Sequence, residues 1–164
     1  MRKYLDNQVI SALRNQGFVG KFPHFRKEKL GCIELIVFQT NKYGGSFTVE
    51  VSAVFPQHKN KNYVPWDGLS VDELDVWHTI ERYRLKGMYE GWFYYRDLYA
   101  KHIVAFGKHY IDVSEKNAES FVVPKGYKLV QKFDDAAAQQ ICDEINKQFK
   151  KAFKWLEKFE RSHA

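Results

Sequence analysis

The chain has 164 residues, of which 45% are apolar and 28% charged, values ordinary for a globular protein and sufficient for one domain over residues 1–164. No apolar run approaches the roughly 18 residues of a membrane span. The opening Met1-Arg-Lys-Tyr-Leu-Asp is basic without an apolar stretch behind it, so a cytoplasmic protein with no membrane contact is expected. The formal charge is +6, and the surplus lies entirely in residues 1–62, which hold ten Lys/Arg against four Asp/Glu. Such asymmetry suits an acidic partner or nucleic acid, although singly scattered basic residues also describe a plain soluble surface.

Leu5, Val9, Ala12 and Leu13 recur at helical spacing ahead of Gly17, which predicts a first helix over residues 2–16. Three strands follow. Phe18–Arg26, Ile33–Gln39 and Phe47–Phe55 are separated by turns at Lys27–Gly31 and Asn41–Gly45, the pattern of an antiparallel meander. Phe47, Val49, Val51, Ala53 and Phe55 alternate with Thr48, Glu50 and Ser52, as in a strand with one buried face. Matching apolar partners sets Val37 opposite Val49, Leu35 opposite Val51 and Ile33 opposite Ala53, with Glu34, Glu50 and Ser52 on the reverse face.

Pro56–Pro65 reads as a polar loop. Ser70-Val-Asp-Glu73 is a capping box that opens a short helix through Leu74 and Trp77. Glu81–Leu85 reads as a fourth strand, and Gly87 and Gly91 frame a turn into Trp92–Tyr95. Ile103–Phe106, Tyr110–Val113 and Phe121–Val123 are short β-like runs. A last helix opens at Asp134–Asp135 and carries an apolar stripe of Ile141, Ile145, Phe149, Ala152, Phe153, Leu156 and Phe159. The fold class is therefore α+β, an antiparallel meander sheet of about five or more strands packed against N- and C-terminal helices.

Gly17-Phe18, Phe25-Arg26, Phe38-Gln39, Phe47-Thr48, Arg82-Tyr-Arg84-Leu85 and Trp92, with a C-terminal helix, together resemble a bacterial family catalogued as domain of unknown function 4304. Two departures stand out: Phe93 replaces the second aromatic of a Trp-Trp pair, and residues 97–130 read as an insertion. The resemblance implies an α+β fold and brings no established activity.

Chemistry-bearing motifs are sparse. The six histidines (His24, His58, His78, His102, His109, His163) show no metal-ligand spacing; His78 with Glu81 and His102 with His109 are the nearest to a site. No nucleophile elbow or phosphate loop is present, and Cys32 and Cys142 have no CxxC spacing and read as two buried thiols. No catalytic residue, metal or cofactor is expected. Glu34 and Glu50 are expected together on the reverse face near His24 or Arg26, as an acid/base pair or as plain cross-strand ion pairs.

Met88–Tyr95 is rich in rings and follows Arg82 and Arg84, the residue types that dominate macromolecular contacts. Arg26, Arg82, Arg84, Trp92, Tyr94 and Tyr95 are the expected partner-binding residues, although Trp92 and Tyr94 would serve equally as core if they point inward. The leading expectation is a non-catalytic macromolecule-binding domain of accessory or inhibitor type, with a protein as partner. A nucleic-acid-binding domain is the alternative, favoured by a pI near 9.2, and a small hydrolase or transferase comes third.

Overall fold

The computed structural model describes residues 1–56 and 69–163, so most of the Pro56–Pro65 loop, with His58, lies outside the described residues. The N-terminal helix runs over residues 2–15, with π-type winding at Leu5–Ile10 between α-helical Arg2–Tyr4 and Ser11–Asn15. It buries Leu5, Val9 and Leu13, and Gly17 ends it at φ +90°, a left-handed conformation that costs glycine nothing.

Among the described residues the main sheet is antiparallel and six-stranded. β1 (Val19–Lys21), β2 (His24–Lys29), β3 (Cys32–Thr40), β4 (Ser46–Val54) and β5 (Tyr83–Arg84) follow one another in space, and β6 (Phe93–Tyr94) also pairs with β4. The turn from β2 to β3 is confined to Leu30–Gly31, tighter than the sequence suggests, and the fourth strand is shorter, with only Tyr83–Arg84 paired to β4.

The expected β3–β4 register is off by one residue. Ile36 faces Val51 and Phe38 faces Val49, whereas Val37 faces Glu50, Leu35 faces Ser52 and Ile33 faces Val54. Ile36, Phe38, Phe47, Val49, Val51 and Ala53 therefore belong to the main core beneath the two helices. Ile33, Leu35, Val37 and Val54 pack on the opposite face against Leu74 and Val76. The reason is that both faces are covered. When every residue of β4 is buried, apolar-to-apolar matching no longer distinguishes the registers. The Asn41–Ser46 turn decides instead, with Asn41 N–H donating to Ser46 C=O at 2.9 Å and Gly44 N–H to Asn41 C=O at 2.8 Å.

The second face is covered by a strap over residues 70–82. The Ser70 capping box is present, but the chain forms two separate 3₁₀ turns, Val71–Glu73 and Val76–His78, in place of one helix. The C-terminal helix, Asp135–His163, is started by Asp134, whose carboxylate accepts the Ala137 N–H at 2.9 Å. It buries Ile141, Ile145, Phe149, Ala152, Leu156 and Phe159 against the main core. Phe153 is only half-buried, stacked between Phe149 at 5.3 Å and Phe18 at 5.8 Å.

A second sheet of three strands holds β7 (Asp97–Ile103) between β8 (Gly107–Val113) and β9 (Lys128–Gln131). Of the run Ile103–Phe106, Ile103 ends β7 and residues 104–106 form the hairpin turn, and Phe121–Val123 is not a strand. The small sheet meets the large one at Gly45, where an added Cβ would collide with the Asp112 carboxylate and sit 2.9 Å from the Arg96 side chain. Gln131 links the two by donating to the carbonyls of Tyr94 at 2.7 Å and Arg96 at 3.2 Å. No helix among the described residues is long and apolar enough to cross a membrane.

Candidate functional site

The one-residue shift in register distributes the charged side chains of the meander. Arg26, on β2, stands opposite Leu35 and so shares the second face with His24, Glu50 and Arg84. Lys27 and Lys29 point to the other face with Glu34, which is 3% exposed and lies 3.6 Å from Lys27 Nζ and 2.6 Å from Lys29 Nζ. Glu34 and Glu50 are therefore on opposite faces, and the expected acid pair does not exist. Lys29 also reaches Glu160 at 3.0 Å. Burial raises the Glu160 carboxyl above its usual range; the Lys29 ammonium opposes this and the neighbouring Glu34 reinforces it.

The strap splits the second face into two polar regions. On the β4–β5 side, Arg82 Nη1 lies 3.4 Å from Glu50 and Arg84 Nη1 3.9 Å from it, so two guanidinium groups share one carboxylate. Arg84 Nε also donates to Thr48 Oγ1 at 2.9 Å, and Arg82 Nε donates to Thr79 C=O at 3.1 Å. The Arg84 guanidinium stands 5.2 Å from the ring centroid of Trp92, within cation–π range. The Arg84 side chain remains 44% exposed.

On the β1–β2 side a cleft of about 280 Å³ opens between the strands and the strap. Lys21, His24 and Arg26 line one wall and Asp72, Glu73 and Asp75 the other, over Leu74 and Val76. Arg26 Nη1 donates to Asp72 C=O at 2.6 Å, and its Nη2 is 3.6 Å from the Asp72 carboxylate. Asp75 accepts the Trp77 N–H at 2.8 Å and lies 3.0 Å from His78 Nδ1. The Glu73 carboxyl is held below its usual range by the Ser70 backbone N–H and hydroxyl. His24 Nδ1 stands 3.9 Å from the same Asp75 carboxylate, beyond hydrogen-bond reach, and Asp75 is already engaged by the Trp77 N–H and His78, so His24 and Asp75 do not form an acid–base pair. Sequence reading missed Asp72 and Asp75; the signal was there in Asp75, a 3₁₀ N-cap two residues before Trp77.

The six expected contact residues do not form one patch. Arg82, Arg84 and Trp92 come together. Arg26 is three strands away, roughly 14 Å at the usual strand spacing, with the strap between. Tyr94 leans toward the small sheet, edge-on to Tyr89 at 6.3 Å, and its phenol is raised by burial and then by Asp112. Tyr95 packs inward on Phe47 at 6.2 Å, next to Phe93. Trp92 and Tyr94 thus lie away from the core, while Phe93 and Tyr95 fill it. His102 and His109 fall on opposite faces of the small sheet, and the Tyr127 hydroxyl meets His109 Nδ1 at 2.8 Å.

Cys32 and Cys142 are free and buried, with burial raising their thiols to about 12 and about 11. Such thiols are poor nucleophiles. Among the described residues, no group of three or more His, Cys, Asp or Glu side chains is arranged to hold a metal ion.

Fold and surface together define an α+β domain: a central antiparallel sheet with helices on one face, a polar strap on the other and a small appended sheet. The chain belongs to the family described as Domain of unknown function (DUF4304), which it matches over residues 9–158. No curated protein and no solved structure matches it.

Proposed function

We propose that this protein is a non-catalytic, cytoplasmic macromolecule-binding domain of accessory or inhibitor type, whose partner is a protein met through Arg82, Arg84 and Trp92. The carrying observation is the Arg84 guanidinium over the Trp92 ring, 44% exposed and sharing Glu50 with Arg82. Two cations against one carboxylate leave a local positive excess, and the ring holds the guanidinium plane in place before a partner arrives. Arginine and tryptophan so arranged are the usual anchors of protein interfaces, and acidic side chains are their natural complement. The two free thiols suit a reducing compartment.

The test is affinity capture from the source organism with the wild type, Arg84→Ala and Arg82→Ala, alongside a gel shift with mixed DNA and RNA. Losing one anchor costs ~2 kcal/mol or more, about thirtyfold in affinity. A captured protein retained by the wild type and lost by both variants, with their melting temperatures intact, supports the reading. Capture indifferent to both variants, or a salt-sensitive gel shift in place of protein capture, overturns it.

A further inference from the structure

The small sheet carries a second polar feature, independent of the arginine–tryptophan patch. Ala100 faces Tyr110 on one side and Lys128 on the other, and His102 faces Lys108, so these side chains share one face. Tyr89 closes a wall there. Its ring packs on Tyr110 at 5.7 Å and its hydroxyl donates to Val130 C=O at 3.0 Å. The result is a cleft of about 310 Å³ whose lining, including Met88 and Val130, contains no carboxylate among the described residues.

Charge sets this cleft apart from the one under the strap. There, Arg26 has Asp72 beside it, and elsewhere Lys27, Lys29 and Lys132 each have a carboxylate within 4 Å. Lys108 and Lys128 have none among the described residues. Residues 98–111 and 120–133 contain no Asp or Glu at all. Lys101 also borders the cleft, but its register places it on the opposite face, where its ammonium lies 5.9 Å from the Tyr127 ring. It adds field without a direct contact. Two uncompensated ammonium groups on one sheet face, flanking β7, raise the local positive potential, and an anion held between them lowers it.

We infer that this cleft binds a phosphate group. Lys108 and Lys128 supply point charges, the Tyr110 hydroxyl and the His102 ring supply further hydrogen-bonding groups, and Ala100 leaves the floor open. A multiply charged phosphate neutralises both lysines at once, which a single carboxylate does not. Met88, Val130 and the Tyr89 ring offer an apolar wall to the organic part of a phosphate ester. The group can belong to a free phosphorylated molecule or to a lipid headgroup. At the hairpin tip that leads from Ile103 into Lys108, Val104 is 97% and Phe106 85% exposed, the kind of apolar tip that a headgroup-bearing surface would receive.

The experiment titrates the wild type, Lys108→Ala/Lys128→Ala and Phe106→Ser with pyrophosphate, and separately with phosphatidylcholine vesicles with and without phosphatidic acid. Saturable binding to pyrophosphate or to phosphatidic-acid vesicles, reduced by roughly tenfold or more in the double variant, supports the site. Phe106→Ser separates the sources: loss of vesicle binding alone identifies a headgroup, and pyrophosphate binding without vesicle binding identifies a soluble ligand. Lys108 and Lys128 are exposed, so the double variant folds; a matching melting temperature verifies this. Binding unchanged in the double variant, or no binding to either probe at low salt, overturns the inference. So does uptake of a mixed-sequence oligonucleotide by protein that ignores both probes.

Discussion

The two sheets of this molecule differ in what holds them. In the large sheet Phe38, Val37, Val49, Val51, Ala53 and Phe93 are all at 0% exposure, and helices cover one face while the strap covers the other. In the small sheet only Leu98 and Gln131 are buried, and Leu129, Val130, Val104 and Phe106 are all well exposed. A three-stranded sheet with so little burial does not stand alone; it is stitched on through Gln131, the 3.1 Å Arg96–Asp112 ion pair and the Asp97–Phe133 contact. Stability therefore resides in the large sheet, and the small one is free to carry exposed chemistry. Its tip can change without loss of the fold.

The sharpest way to break that contrast is a pair of ring truncations. Phe149→Ala removes a buried ring beneath the sheet and should lower stability by roughly 3–5 kcal/mol, whereas Phe106→Ser should fall within about 0.5 kcal/mol of wild type. Urea denaturation followed by tryptophan fluorescence measures both. Equal losses would mean that the small sheet folds as part of the same core.

Ion pairs repeat the comparison at smaller scale. Glu34→Ala leaves Lys27 and Lys29, each about 30% exposed, beside an empty buried site and should cost about 2 kcal/mol. Lys132→Ala breaks a solvent-screened surface pair with Asp97 and should move the denaturation midpoint far less than Glu34→Ala does. The order of the two denaturation midpoints is the readout, and a reversed order would sink the assignment of Glu34 to the core-facing side.

Acid sharpens it last, because a carboxylate of the small sheet, Asp97, and one on the helix that packs against the large sheet, Glu160, respond with opposite sign. Burial raises the Asp97 carboxyl, but the Lys132 ammonium and Phe133 N–H outweigh it and the net shift is downward. Its contribution is complete above the unfolded value and is lost as pH falls through the lowered folded value. The Glu160 carboxyl is raised, so the folded state binds its proton more tightly, and stability falls as pH rises from the unfolded value through the folded one. Melting curves between pH 3 and 7 (roughly the carboxylate range) should therefore flatten in opposite directions for Asp97→Asn and Glu160→Gln. The same direction in both variants would contradict the two local environments.

Local signals were legible in the chain itself. The helix stripe from Ile141 to Phe159, the Ser70 capping box, the glycine stop at Gly17 and the existence of a meander follow from spacing, capping and turn chemistry, which act within a few residues. The grouping of Arg82, Arg84 and Trp92 was partly legible, because arginines two apart on a strand share a face. Three things only the tertiary structure decided. β3 is apolar at Ile33, Leu35, Ile36, Val37 and Phe38, so its sequence has no single outer face; the register was settled by the Asn41–Ser46 turn and by a strap from residues 70–82 covering the far side. That shift sent Glu34 and Glu50 to opposite faces. Tyr94 and Tyr95 were sorted by the pairing of β6 with β4, which turns Tyr95 onto Phe47 and Tyr94 toward the small sheet. And Lys108 reaches the same cleft as Lys128 only because β7 lies between their two strands, a juxtaposition of residues twenty apart that no local spacing encodes.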